Sequence, residues 1–397
     1  MIAQAFNFDI SDSLREGLQK RRRRAGLVGI VGVILLVIGL LTSSAQFYRS
    51  YLWAYIFFLG ITGGSLSWLM LQHLTGGAWG VVIRRPAEAA ARTLPLLVVL
   101  FIPVIFGISS LYPWSHPDLV AKDEILRHKQ VFLTTPFWLL RAAVILAGLA
   151  FLGLRLNRWS VMEDQGSPVA GRKMSSLSAV GLIFWSFAVT FLSIDWVMSL
   201  NEHWFSTMFG LLFMIGQGLS GIAFLITIMV LLSQTRPMAE ILTPRHLHDL
   251  GKFMLACTMV WAYFSFSQWL IIWAGNLPEE IPWYVERLRG GWQYVALLLI
   301  FGHFALPFAL LLSRDLKRNF TLLRRIAIFV LCMRIVDVYW LVTPDASKSG
   351  LAPSWVDLGA VLGLGGIWLA YFFRQLEKRP LMPINNPELV EALEHGR

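Results

Sequence analysis

Residues 205–233 read FSTMFGLLFMIGQGLSGIAFLITIMVLLS, a stretch without one Asp, Glu, Lys or Arg. At about 1.5 Å of rise per residue, a helix of this length crosses the roughly 30 Å hydrocarbon core of a bilayer. Only a helix satisfies the backbone inside so apolar a segment, so the stretch predicts a membrane span. Toward the N-terminus the same pattern returns at 175–199, 135–156, 93–112, 51–74 and 25–45, and toward the C-terminus at 249–275, 290–313, 321–343 and 354–374. The expected fold is an all-α integral membrane protein of about ten transmembrane helices. They form two comparable four-helix sets, spans two to five and six to nine, flanked by the first and the tenth. The turn at 200–204 is short enough to make spans five and six a tight antiparallel hairpin.

The whole chain agrees with that reading. Of its 397 residues 56% are hydrophobic and only 15% charged, a balance that lipid rather than water demands. The net charge of +10 would suit nucleic acid, but the cations lie in short turns between apolar runs instead of on one soluble face. Counting Lys and Arg on alternate sides gives 25 of 34 on the side of the N-terminal head and every second loop, and seven on the other. By the positive-inside rule both termini are expected in the cytoplasm. The division that follows is a basic head at 1–24, a membrane domain at 25–374 and a tail at 375–397, with 157–174 as a cytoplasmic linker. The head ends in Arg21–Arg24 and is too long and basic for an ordinary signal peptide, so the first run is expected to remain as an uncleaved helix.

The residues exclude several chemistries. Cys257 and Cys332 are the only cysteines and neither belongs to a CxxC pair, which leaves no iron–sulfur cluster or c-type haem of the chain's own. Of eight histidines only His303 lies deep in a span, so a bis-histidine haem lacks its second ligand. Beside Glu202 and His203 no third ligand stands at zinc spacing, and no metal site is expected.

Charges in hydrocarbon cost several kcal/mol and need a partner or a purpose. Four stand out: Arg141, Asp195, Arg334 and Asp337, all placed by residue counting in the outer half of the membrane. Arg334 and Asp337 share a helix face, which suits an ion pair within one helix. Arg141 and Asp195 suit a pair between neighbouring helices. The functional alternative is a polar pocket that handles protons, with His303 as a relay and Tyr263, Gln268, Ser265, Ser267 and Gln217 as further polar positions. Simple packing hydrogen bonds explain each of these equally well. Glu202 and His203 lie at the outer mouth, where exposed loop polarity is the plain alternative. The outer loops at 113–134 and 276–289, the second with Glu279, Glu280, Glu286, Trp283 and Tyr284, read either as interfacial loops or as a cap or docking face.

Three runs carry a resemblance: DWVMSLNEHWFST at 195–207, HDLGKFMLACTMVWAYFSFSQWLIIWAGNLPEEIPWYVERLRGGW at 248–292 and FALPFALLLSRDLKRN at 304–319. With YLWAYIFFLGITGG at 51–64 they resemble the NrfD-like membrane subunits of alternative complex III, and length and short tails are closer to ActF than to ActC. Where that family's pattern is SLEPHW, this chain has Ser199–Trp204 as SLNEHW, with the acid moved by one place and no Pro.

The resemblance implies a bacterial inner-membrane, multi-pass subunit of a quinol:electron acceptor oxidoreductase. It implies an ActC-like sister subunit, an iron–sulfur subunit and multihaem cytochrome c subunits as partners, which hold the haem c and iron–sulfur clusters. It also implies paired four-helix bundles and places Asp195 in the membrane polar site. On this reading the chain binds no cofactor alone and acts as scaffold and proton conduit. The alternatives are a subunit that itself binds and oxidises quinol, ActC-like or polysulfide-reductase-like, and, from another class, a secondary transporter. Pro103 and Pro307 offer that last reading only ordinary kinks.

Overall fold

A computed structural model describes Phe8 and residues 10–346 and 350–394; Lys348, His395 and Arg397, counted above, lie outside it. Among the described residues there is helix and no strand, and ten helices are long and apolar enough to cross a membrane. They are α1 (Asp12–Thr42), α2 (Ser44–Thr75), α3 (Ala78–Phe106), α4 (Thr135–Asp164) and α5 (Ala170–Leu200). The rest are α6 (Phe209–Leu232), α7 (Pro244–Gly275), α8 (Trp292–Leu312), α9 (Phe320–Ala346) and α10 (Trp355–Leu376).

Several helices outrun their hydrophobic stretches. α1 starts inside the basic head, where Ser11 accepts a hydrogen bond from the Leu14 N–H, and Leu14 and Leu18, four apart, bury one face. α4 continues into the segment expected as a linker and ends at Asp164, because Glu163 and Asp164 find buried arginines there. α3 begins at Ala78, fifteen residues before the expected 93, and turns at Arg92–Thr93 and again near Phe101, each just ahead of a proline. α8 contains a π-helical segment, Leu299–Ala305, in which the Leu306 N–H reaches back to the Phe301 carbonyl. Pro307 follows it and has no N–H to give to the turn below.

α2 and α6 form the buried centre, and small residues let them touch. A Cβ on Gly64 would stand 1.8 Å from the Gln217 carbonyl oxygen. α3, α5, α9 and α10 also pack on α2, while α5, α7 and α9 pack on α6. α1 lies outermost against α10, its backbone seated so closely that a Cβ on Gly32 would meet the Gly363 nitrogen at 2.0 Å. This is the small-residue packing that membrane helices use when lipid gives apolar contact no advantage. The segments around Phe8 and Leu381 meet at one end of the bundle, where the Leu381 N–H donates to the Phe8 carbonyl at 3.2 Å.

Candidate functional site

Arg141 lies six residues into α4 and Asp195 near the far end of α5, so antiparallel packing brings them to one level. The guanidinium grips the carboxylate in a fork, Nε to Oδ2 at 2.6 Å and Nη2 to Oδ1 at 2.9 Å. Nη1 donates to the Phe132 carbonyl at 3.0 Å, and the rings of Phe132 and Phe137 lie 3.8 and 4.5 Å from the guanidinium carbon. The Asp195 carbonyl accepts from Trp138 Nε1 at 2.8 Å and from Ser199 Oγ at 2.6 Å. Both carboxylate oxygens and the carbonyl are therefore engaged, and the constellation is a clamp between α4 and α5.

The second pair is as deeply buried but less fully engaged. Arg334 ion-pairs with Asp337 one turn along α9, and its Nε donates to Ser220 Oγ on α6 at 3.2 Å. Trp261 of α7 donates its indole N–H to Asp337 Oδ2 at 3.2 Å, so the bonds converge on one oxygen of the carboxylate. α9 runs on to Ala346, three residues past the expected end, and Arg334 sits near the middle of that helix.

Asp337 lines a cavity of about 750 Å³ between α7, α8, α9 and the short helix Ile281–Arg287. Its walls are aromatic, from Trp261, Phe266, Trp269, Phe304 and Trp340, with Gln268, Tyr284 and Ser265 as polar groups. Tyr263, Phe266 and Ile300 on its rim are each more than half exposed, so the cavity opens sideways between α7 and α8 to the surroundings of the bundle.

The other sequence candidates divide. His303 is buried in the π segment and packs edge-on against Trp261, ring centroids 4.2 Å apart, with neither ring nitrogen hydrogen-bonded. Gln268 is buried, accepts from Ser206 Oγ at 3.2 Å and donates to the Tyr284 hydroxyl at 3.4 Å. Tyr263 is 65% exposed and stands at the cavity mouth. Gln217 fills the α2–α6 crossing beside Gly63 and Gly64. Glu202 and His203 lie apart from both pairs: His203 Nε2 is 3.0 Å from Asp123 and 3.7 Å from Glu202, at the surface. Among the described residues no hydrogen bond or ion pair joins the Arg141–Asp195 clamp to Arg334–Asp337, and no cluster of His, Cys, Asp and Glu could hold a metal.

Two buried charge groups escaped the sequence reading. Arg287, counted there only as a loop cation, is fully buried over the Trp283 ring at 3.5 Å and pairs with Asp345 at the end of α9. Asp345 also accepts from Asn201 Nδ2 and Trp283 Nε1, both at 3.2 Å, which roofs the cavity with the 281–287 helix. Beside it burial pushes the Tyr284 phenol up to about 12. At the opposite end Arg84 and Arg85 engage Glu88, Glu163 and Asp164, and Arg379 closes the cluster from the tail. The RRPAE spacing of Arg84, Arg85 and Glu88 was the available signal, masked by placing the third span too late.

No protein-family model matches the chain, and comparison with curated proteins gives no match.

Proposed function

We propose that the chain is a membrane subunit of a quinol:electron acceptor oxidoreductase of the alternative complex III kind, ActF-like, serving as scaffold and proton conduit. The observation that carries the proton role is Asp337, a buried carboxylate held on one oxygen by Arg334 and Trp261 and facing a cavity open to the side of the bundle. A carboxylate so placed can take and give a proton while its guanidinium neighbour stays charged. The Arg141–Asp195 clamp, engaged on every oxygen, is the scaffold element, and His303 behind Trp261 is the next protonatable group inward.

The three motif runs support the family reading. So does the packing, which passes from α2 through α3, α4 and α5 back to α2, and from α6 through α7, α8 and α9 back to α6, as two four-helix bundles would. In that setting the chain sits in a bacterial inner membrane with both termini cytoplasmic. Haem c and iron–sulfur clusters belong to its cytochrome and iron–sulfur partners, beside an ActC-like sister. The test is Asp337→Asn in the assembled complex: quinol-driven proton release should fall several-fold while the complex still assembles. Unchanged proton release would remove Asp337 from the path.

The cavity itself favours a second reading, in which this copy binds quinol. Aromatic walls with an amide, a phenol and a carboxylate suit a lipid-soluble ring bearing two hydroxyls. Photolabelling with an azidoquinone separates the two: labels on α7 or α8 support it, and labels confined to the sister subunit reject it.

A further inference from the structure

Six exposed cations gather where α1 and α10 leave the apolar zone: Lys20, Arg21, Arg23 and Arg24 on α1, Arg374 and Lys378 at the end of α10 and just past it. Their register is fixed. Arg22 Nη1 meets Glu377 Oε2 at 2.9 Å, so the two basic segments lie side by side at one depth. Lys20 and Arg24 are four apart and share a helix face, as do Arg374 and Lys378. The ion pair neutralises Glu377, and among the described residues no carboxylate stands within ion-pair distance of the six.

Immediately beyond Arg24 the outer face of α1 turns apolar and open, with Leu27, Ile30, Val31 and Ile34 each more than half exposed. Cations set at the edge of such a face meet the phosphate level of the bilayer, where long Lys and Arg side chains extend from apolar stems into the headgroups.

We propose that this paired basic surface is a binding site for anionic phospholipid headgroups in the leaflet at the end of the bundle that carries both chain termini. The orientation bias needs only an excess of Lys and Arg on one side. Here the Arg22–Glu377 pin goes further and converges two basic segments on one short stretch of leaflet. Bound lipid would screen the mutual repulsion of the six cations and hold the ends of α1 and α10 together.

The experiment uses the purified full chain in nanodiscs of mixed phosphatidylglycerol and phosphatidylcholine, with retained lipid identified by mass spectrometry after gentle release. Phosphatidylglycerol should be enriched several-fold over its share of the bilayer, and the enrichment should fade between about 0.05 and about 0.5 M salt as the screening length shortens. Each cation removed should cost roughly fivefold in affinity. Two variants read this independently, R21Q/R24Q on the first helix and R374Q/K378Q on the last, so that an insertion fault caused by altering the first span does not decide the outcome. Equal retention of the two lipids, full enrichment in R374Q/K378Q, or thermal stabilisation by inorganic phosphate equal to that by phosphatidylglycerol would overturn the proposal.

Discussion

Arg141 and Asp195 close a two-bond fork between α4 and α5, with Nε–Oδ2 at 2.6 Å and Nη2–Oδ1 at 2.9 Å. Since the carboxylate is wholly buried, removing its charge leaves a guanidinium without a counter-ion between two phenyl rings. Asp195→Asn should therefore lower stability by about 3 kcal/mol. The double variant Arg141→Met, Asp195→Leu should lose less than either single change. Unfolding in mixed micelles checks both, and a double variant as damaged as the sum of the singles would contradict the clamp.

The roof of the cavity makes a similar prediction with a local readout. Arg287→Met leaves Asp345 with Asn201 and Trp283 but no cation, at about 3 kcal/mol for a broken buried pair. Hydrogen exchange should rise at 281–288 and at the end of α9 while α2 and α6 stay protected.

Glycine positions give a contrast of sign. At Gly32 any side chain collides with the Gly363 backbone, so Gly32→Leu should separate α1 from α10 at a cost of about 3 kcal/mol. At Gly17, in the same helix but with nothing within 4 Å of a Cβ, Gly17→Ala should stabilise by about 0.5–1 kcal/mol through helix propensity alone. Thermal melting of the two variants in one detergent tests the pair.

Outside the membrane the 117–129 loop has an acid-sensitive joint. The Asp123 carboxylate accepts the backbone N–H groups of Leu126 and Ile125 and lies 3.0 Å from His203, and the Leu126 bond is the largest of the influences holding it below the usual Asp range. A depressed acid contributes order in full above its ordinary value of 3.8 and loses it as pH falls toward the lower folded value. Limited proteolysis of this loop should accelerate below about pH 4, and Asp123→Ala should cleave at the fast rate at every pH.

Length and apolarity were enough to read the ten spans, because an apolar run longer than a bilayer is thick has few alternatives. Helix ends were less legible. α3 and α4 extend past their apolar runs since Arg84, Arg85, Glu163 and Asp164 satisfy one another, a pairing visible only once distant segments are adjacent. Arg334–Asp337 could be read from its spacing of three, whereas Arg287–Asp345 joins residues 58 apart and needed the fold. The cavity's sequence signals were Tyr263, Ser265, Gln268, Tyr284 and Asp337, scattered polar residues that mark no volume until α7, α8 and α9 are set side by side.

The seam between α1 and α10 joins the first of the ten described spans to the tenth. During synthesis α1 enters the bilayer with its glycine face unmatched and waits through eight further insertions for its mate. The tail that bonds Phe8, Glu88 and Asp164 follows later still. Closure therefore waits on the tenth span, and a chain stopped short of residue 355 would strand its own beginning in lipid.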